Sequence, residues 1–150
     1  MILIDGHNLL FALYAPLGEN IVPLLKELQA RIGVIAAAER RMITMVFDGQ
    51  GPLGKWGGNQ KASEWLTFVY SGAEMSADDW IVDWITRNKG VQVLLLTNDR
   101  ALIRRASRPG LNHARPESWV HQRENRPEPV AKQEFGSVEE WLDYFKEDNT

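Results

Sequence analysis

Short, continuously apolar runs, separated by stretches with helical periodicity, constrain the fold of this chain more than any other feature. Residues 2–4, 42–47 and 91–96 are such runs, and residues 65–70 form a fourth that is rich in β-branched and aromatic side chains. Continuous rather than alternating apolar character is typical of strands that are covered on both faces, as in parallel sheets. The order of strands and helices therefore predicts an α/β fold, with a mainly parallel sheet between layers of helices.

The segments between these strands carry more local signals. Apolar residues keep helical spacing from Asn20 to about Arg40, which predicts an amphipathic helix. Residues 5–8 read as a turn, residues 9–17 as a short helical turn followed by a loop, and residues 49–61, with five glycines, as a mobile loop. Towards the end of this part of the chain we expect a short last strand near His113 and a helical turn at residues 116–119.

A helix is also predicted after residue 76. Ser76 is a good N-cap, and acidic residues in the first turn suit the helix dipole. Trp80 and Trp84 are spaced four residues apart, so we interpret them as part of the buried stripe of this helix. A further helix should follow the run at 91–96, with Thr97 or Asn98 as its cap; capping by Asp99 is the alternative.

Acidic residues follow three of the predicted strands. Asp5, Asp48 and Asp99 each come just after an apolar run, and Asp78 and Asp79 lie in the first turn of the helix after Ser76. Because parallel strands end at one edge of a sheet, these carboxylates should converge there. Turn formation and helix capping are the structural alternatives. So many carboxylates close together would repel one another, which indicates that a cation binds there. Because the ligands are oxygens, without cysteine or a central histidine, Mg²⁺ or Mn²⁺ is the expected ion.

Charge is unevenly distributed although the net charge is only −3. Residues 1–86 contain 6 basic and 10 acidic side chains, residues 87–132 contain 10 and 4, and residues 133–150 contain 1 and 6. A basic flank beside an acidic site is expected where a cation-dependent site receives a polyanion. The candidate RNA-binding residues are Lys55, Trp56, Lys61, Arg100, Arg104 and Arg105. A solvated basic surface and a disordered connector with an incidental tryptophan are the alternatives.

The length of 150 residues suits one domain with a proper core. We place this domain at residues 1–122 and interpret residues 123–150 as a linker, rich in proline and charge, that leads into a C-terminal helix. Ser137 and Glu140 form a capping box for that helix, and Trp141 and Phe145 would dock on the domain or mediate a homodimer. The absence of cysteine excludes disulfides and thiolate chemistry, and no apolar run reaches the roughly 18 residues of a membrane span. A cytoplasmic location is the default expectation.

Four motifs, in order, resemble the YacP-like NYN domain family, a branch of the PIN-like nucleases. They are ILIDGHNLL at the start, VFDG, SGAEMSADDWI and LLLTNDR, and the resemblance covers roughly residues 1–122. It implies a Rossmann-like three-layer sandwich and a divalent-metal-dependent ribonuclease that cuts RNA in an acidic pocket. Carried over by motif, the family's functional positions are Asp5, Asn8, Asp48, Asp78 and Asp99. Asn98 stands where related chains often have serine, which leaves the number of metals open.

We accordingly expect Asp5, Asp78 and Asp99 to bind the metal. Asp48 and Asp79 would hold a second ion or orient the other ligands, while Asn8 positions water or phosphate and Asn98 orients Asp99. The substrate would be mRNA, tRNA or rRNA, with the ribosome as a candidate presenting partner.

Two rival functions stay open at this stage. A catalytically inactive RNA-binding module would use the same acidic pocket and basic flank for binding alone. A phosphatase of the haloacid-dehalogenase type would also have an aspartate after its first strand. That pattern requires a second aspartate two residues later, where this chain has His7.

Overall fold

The computed structural model describes residues 1–125, and these residues contain a six-stranded sheet. The strands are β1 (Ile2–Asp5), β2 (Ile43–Phe47), β3 (Gly58–Lys61), β4 (Leu66–Tyr70), β5 (Val93–Leu96) and β6 (Leu111–Ala114). Their order in the sheet is β3-β4-β2-β1-β5-β6. All neighbouring strands are parallel except β3 and β4, which are antiparallel. The mainly parallel sheet is therefore confirmed.

Five α-helices cover the two faces of this sheet. They are α1 (Gly6–Tyr14), α2 (Val22–Glu39), α3 (Ala77–Arg87), α4 (Arg100–Ala106) and α5 (Pro116–Glu124). Helices α1, α2 and α5 pack in the core on one face, and α3 and α4 pack in a second core on the other. This arrangement confirms the three-layer α/β fold. Among the described residues no helix has both the length and the apolar character needed to cross a membrane.

Alternation along the strands divides their side chains between the two cores. In β1, Ile2 and Ile4 belong to the α1/α2/α5 core, whereas Leu3 belongs to the α3/α4 core. All three are fully buried, as expected for a central strand of a parallel sheet. Since successive side chains of a strand point to opposite faces, Asp5 falls on the same face as Leu3, beneath α3 and α4.

Several local predictions are confirmed. The helix expected from Asn20 to about Arg40 is α2, which carries a proline in its first turn and ends with Arg40 in the left-handed conformation. The predicted strands at 42–47, 65–70 and 91–96 correspond to β2, β4 and β5, and the strand near His113 is β6.

Other local predictions are wrong, and each has a physical reason. Residues 6–8 form no turn, because α1 begins at Gly6 directly after β1 and runs for nine residues. Residues 58–61 lie in no loop, because they pair with β4 as an exposed edge strand, which needs no apolar pattern. By contrast, the interpretation of Trp80 and Trp84 as core-facing is confirmed in part: Ala77, Ile81 and Ile85 of α3 are buried, and both tryptophans are partly buried and pack against that core.

Helix α5 extends beyond the predicted helical turn at 116–119 and is tied to α2 by two ion pairs. The guanidinium of Arg31 donates from Nε to Glu124 at 2.8 Å, and Arg123 pairs with Glu39 at 3.0 Å. Residues 123 and 124 therefore lie within a helix of the domain. The predicted linker and C-terminal helix, including Trp141 and Phe145, lie outside the described residues from position 126 onward.

The close contact between Gly6 and Phe47 generates a stability prediction. A methyl group at position 6 would overlap the Phe47 ring, with its Cζ atom at only 2.9 Å. We expect Gly6→Ala to lower the free energy of unfolding by about 1–3 kcal/mol, because the ring lies in a packed core and must shift. The measurement is the midpoint of chemical denaturation.

Gly33→Ala is the matched control for this change. Gly33 lies within α2, and the nearest atom to an added methyl group would be Leu66 Cδ2 at 3.8 Å. This substitution should raise stability by about 0.5–1 kcal/mol, since alanine loses less conformational entropy than glycine in a helix. Equal effects of the two substitutions would show that the Phe47 contact is not the cause.

Candidate active site

The strand pattern brings three polar side chains to one face at the carboxyl edge of the sheet. Asp5 ends β1, Asp48 follows β2, and Thr97 follows β5. Asp5 is paired with Val46 in register, and Ile4 with Leu96, so the three strands end at the same level. Continued alternation places all three side chains on the α3/α4 side, where the N-terminus of α3 carries Asp78.

Asp5 lies at the centre of this group and is buried, with 7% of its surface exposed. Its carboxylate accepts a hydrogen bond from Thr97 Oγ1 at 3.3 Å. Burial raises the pKa of Asp5 from 3.8 to about 6; the negative charge of Asp78 and, to a smaller extent, that of Asp48 act in the same direction, against hydrogen bonds from Thr97 and the Asn8 backbone. A buried carboxylate held beside other carboxylates is unfavourable for the fold unless a positive charge is added.

Asp78 lies between the charges of Asp5 and Asp99. Burial, the charges of Asp99 and Asp48, and a hydrogen bond to Asp99 raise the pKa of Asp78, while Arg105 opposes the shift. Asp99 is also the N-cap of α4, because its Oδ1 accepts from the backbone N–H groups of Ala101 and Leu102 at 3.0 and 3.2 Å. The predicted cap at Thr97 or Asn98 is therefore wrong. Capping and the contact with Asp78 coexist, since a carboxylate has two oxygens.

Asp48 connects β2 to α3. Its Oδ1 accepts a 2.7 Å hydrogen bond from the backbone of Ala77, the first residue of α3. Its own backbone N–H donates to His7 Nδ1 at 3.3 Å, and the His7 ring stands edge-on to Phe47. Asp48 thus adds negative charge near Asp5 and fixes the helix end that carries Asp78.

Asp79 lies outside the group around Asp5. Its Oδ1 accepts from Arg105 at 2.6 Å, and its backbone N–H donates to the N-cap side chain of Ser76 at 3.1 Å. The bond from Arg105 lowers the pKa of Asp79. The two adjacent aspartates of α3 therefore have different surroundings: Asp78 faces other acids, and Asp79 joins α3 to α4.

A hydrogen-bonded chain beside Asp5 includes residues that the sequence did not indicate. Asn8 Oδ1 accepts from the backbone of Asn98 at 2.9 Å, and Asn98 Nδ2 donates to Glu117 of α5 at 2.9 Å. Asn98 thus orients its loop through Glu117 rather than through the Asp99 side chain. Thr97 could have been found, because it is on the same face as Asp5 by alternation. Glu117 could not, because only tertiary packing brings α5 to this position.

The candidate RNA-binding residues divide between two places on this edge and one remote place. Lys55 and Trp56 are exposed and precede β3, whose first residue pairs with Tyr70 at the site edge. Lys61 pairs with Thr67, which lies three residues before Tyr70 in β4 and therefore about 10 Å from the site edge along the strand. The arginines on α4 are exposed on the other side of the acids; they are Arg100, Arg104 and Arg105.

Comparison with known proteins adds the family. The sequence model of the YacP-like NYN domain matches residues 2–134. The chain belongs to the YacP-like NYN domain family. This family is a nuclease family with a PIN-like fold, and PIN-like nuclease domains generally use divalent metals.

The fold of this NYN domain is also seen in solved structures. The crystal structure of Rae1 (YacP) from Bacillus subtilis is similar with a TM-score of 0.61 and 15% sequence identity, over 99% of this chain and 83% of that chain. A tryptophan-to-leucine mutant of the same protein gives 0.59 and 16%, over 83% of this chain and 77% of that chain. At this identity the similarity shows a shared fold. No curated protein sequence matches the chain.

The donor set of the NYN domain suits a hard divalent cation. Within residues 1–125 no three acidic or histidine side chains already surround one metal position. The charges of Asp99 and Asp48 raise the pKa of Asp78, however, and the charge of Asp78 in turn raises the pKa of the buried Asp5. A bound cation would relieve this repulsion. Carboxylate oxygens are the donors that hard divalent cations prefer, so the chemistry of these residues suits such an ion.

The raised pKa of Asp5 predicts that this residue destabilises the metal-free protein. The folded protein binds the Asp5 proton more tightly than the unfolded chain, so stability should fall as the pH rises from about 4 to about 6. In EDTA at neutral pH we expect Asp5→Asn to raise the free energy of unfolding by on the order of 1–3 kcal/mol. Melting temperatures between about pH 4 and pH 8 measure the difference, which should vanish at the acidic end.

Asp79→Asn is the control with the opposite sign. The pKa of Asp79 is lowered, so its ionised form stabilises the fold above its ordinary pKa and loses that effect only as the pH falls through the lowered value. This variant should melt slightly below the wild type at neutral pH, because the Asp79–Arg105 pair is exposed and contributes little. If Asp5→Asn also melted below the wild type in EDTA, the ionised Asp5 carboxylate would not destabilise the metal-free protein.

Proposed function

We propose that this NYN domain is a divalent-metal-dependent endoribonuclease that hydrolyses phosphodiester bonds of RNA at the acidic edge of its sheet. Family membership supports nuclease activity in general. The metal dependence, the RNA substrate and the internal position of the cut are proposed from the arrangement of the site.

One observation carries the proposal: Asp5 is buried against other carboxyl groups. Within residues 1–125 its side chain accepts hydrogen bonds from Thr97 and the backbone of Asn8, and the charge of Asp78 opposes its ionisation. The two cores do not need this carboxyl group, since an apolar or amide side chain would fit the strand pattern as well. An unfavourable charge at the end of a central strand is explained if the site binds a positively charged ligand that compensates it.

The roles of the chain's own residues follow from their contacts. Asp5, Asp78 and Asp99 would hold Mg²⁺ or Mn²⁺, and Thr97 keeps Asp5 oriented by a hydrogen bond to its carboxylate. Asn8 uses its side-chain oxygen for the Asn98 backbone, which leaves its amide N–H groups for a phosphate or a water molecule. When bound, the metal supplies an acidified water as nucleophile and neutralises charge on the phosphate.

The surroundings of the acids support RNA and an internal cut. Arg100 and Arg104 on α4 lie to one side of the group around Asp5, and Lys55 and Trp56 lie to the other. Basic side chains suit phosphates, and an exposed indole suits an unpaired base. Because such groups flank the acids on both sides, the site suits an RNA chain that continues in both directions from the cleaved bond. Presentation by the ribosome and formation of a homodimer stay predictions.

Cleavage of a labelled, structured RNA in Mn²⁺ tests the proposal. We expect Asp78→Asn to reduce the cleavage rate at least about a hundredfold. The substitution removes a proposed ligand of the metal ion, and the charge of that ion stabilises the transition state. EDTA should abolish cleavage, and Asp5→Asn should behave like Asp78→Asn. Asp83→Asn is the matched control, because Asp83 lies on the same helix and pairs at the surface with Arg87 at 3.1 Å. Equal loss in all three variants would contradict the assigned site.

Metal binding has a separate readout in the melting temperature. We expect Mn²⁺ to stabilise the wild type by about 3 kcal/mol at a hundredfold excess over its dissociation constant, because it binds only the folded protein. Asp78→Asn should reduce this gain strongly, and Asp83→Asn should retain it. An equal gain in all three proteins would place the ion elsewhere.

The inactive RNA-binding module remains the second candidate. It is favoured by the absence, within residues 1–125, of three side chains that already surround a metal position. Binding of RNA without cleavage in Mn²⁺, unaffected by Asp78→Asn, would support this candidate over the nuclease.

A further inference from the structure

The loop that carries Trp56 is anchored through its backbone to the segment that leads into α3. The backbone N–H of Ala73 donates to the carbonyl of Lys55 at 2.8 Å. Gly57 and Gly72 both have positive φ, and a side chain at either would collide with the other segment: at Gly57 with the Tyr70 backbone and at Gly72 with the Trp56 carbonyl. Close approach of two backbones therefore sets the position of Trp56.

Trp56 is held there with its indole in solvent. Its exposed fraction is 73%, the largest of the exposed large hydrophobic residues in the described chain. The ammonium of Lys55 lies 5.2 Å from the ring centroid and forms a cation–π contact. Because most of the ring is still exposed, a planar ligand has a free surface on which to stack. Because the backbone is anchored, the exposed indole has a defined position, which favours a role in ligand binding over an incidental exposure.

A cavity of about 330 Å³ adjoins the indole, and we call it the Trp56 pocket. Its lining comprises Lys55, Trp56, Glu74 and Met75, together with residues 71–73. This volume is at the small end of the range for ligand sites, and it suits a single base rather than a folded partner. Met75 offers a polarisable thioether, which packs well against aromatic rings.

Among residues 1–125, Glu74 is the one acidic side chain that lines this pocket. It forms no hydrogen bond or ion pair with any other residue of the described chain, so both carboxylate oxygens can accept from a ligand. The pocket thus combines a stacking surface, a cation and an unpaired double acceptor.

The Trp56 pocket is close to the acids on which the proposed nuclease function depends. Met75 precedes Asp78 by three residues, and Asp48 holds the intervening Ala77 backbone at 2.7 Å. The start of β3 is two strand positions from β2, which precedes Asp48, and three from β1, which ends at Asp5; these separations correspond to about 10 Å and about 14 Å. A nucleotide near the cleaved phosphate can therefore place its base in the pocket.

We propose that the Trp56 pocket binds an unpaired guanine next to the cleaved bond, an inference that rests on the proposed function. Guanine is the base whose Watson–Crick edge presents two adjacent N–H donors, N1–H and the 2-amino group, and these match the two oxygens of the Glu74 carboxylate. Bases in single strands are recognised by stacking on aromatic rings and by hydrogen bonds on this edge. Adenine, cytosine and uracil each place an acceptor against the carboxylate, which is repulsive. Lys55 neutralises a neighbouring phosphate.

Binding of short fluorescein-labelled oligouridylates tests this proposal without chemistry. Each carries one central guanosine, inosine or adenosine, and anisotropy is measured with the full chain in EDTA, which prevents cleavage. Inosine lacks the 2-amino group, so the wild type should bind the guanosine oligonucleotide about tenfold more tightly than the inosine one. Trp56→Ala should weaken binding of the guanosine oligonucleotide by about five- to a hundredfold, and Trp56→Phe should weaken it less.

Glu74→Gln should remove most of the preference for guanosine over inosine while the protein stays folded, because Glu74 is exposed. Matched controls are Phe11→Ala, which removes another exposed aromatic ring, and Glu64→Gln, at the opposite end of β4. Both should bind like the wild type. A guanosine preference that survives Glu74→Gln, or binding that is unchanged in Trp56→Ala, would overturn the proposal.

The outcomes separate this inference from the nuclease function. Binding that depends on Trp56 and Glu74, without cleavage in Mn²⁺, would retain the pocket and reject the nuclease. Metal-dependent cleavage that is indifferent to both substitutions would retain the nuclease and reject the pocket. Failure to bind any of the oligonucleotides would reject the pocket.

Discussion

The burial of Asp5 against neighbouring carboxyl groups is the constraint on which the rest of the site depends. A carboxylate with 7% exposure and a pKa near 6 is held in place only because the surrounding structure leaves it no alternative. Strand β1 is fixed by parallel neighbours on both sides and by two cores. The stability of the sheet thus offsets the unfavourable charge at its edge, which is the usual relation between a rigid scaffold and a reactive site.

Much of the fold could be predicted from the sequence, because continuous apolar runs identify the strands of a parallel sheet directly. The convergence of Asp5 and Asp48 also follows, since each comes directly after a predicted parallel strand and parallel strands end at one edge of the sheet. Local sequence patterns could not predict the exposed strand β3, because it forms through pairing with β4 rather than through burial of its side chains. The start of helix α1 was placed too late, at residue 9, because a glycine and two polar residues at its beginning read as a turn, although a side chain at Gly6 would collide with Phe47.

The site was harder to predict than the fold, because residues of the same type acquire different surroundings through tertiary packing, which local sequence does not show. Asp78 and Asp79 are adjacent and chemically identical, yet one faces Asp99 and the other faces Arg105. A shift of one residue along a helix turns a side chain by about 100°, which is enough to separate them. Glu117 shows the same limit over a longer distance, since α5 reaches the site through its packing on α1 and α2.

The contrast between the two aspartates also explains how the site maintains its shape. Asp99 is the N-cap of α4 and Asp78 lies in the first turn of α3, so repulsion between them would drive the two helices apart. The ion pair between Asp79 and Arg105 joins the same two helices at 2.6 Å and opposes that separation. Because it is exposed, this pair adds little to global stability. Its contribution is local: it joins the N-terminal end of α3 to α4, and so holds the repelling carboxyl groups of Asp78 and Asp99 near each other, as the proposed function requires.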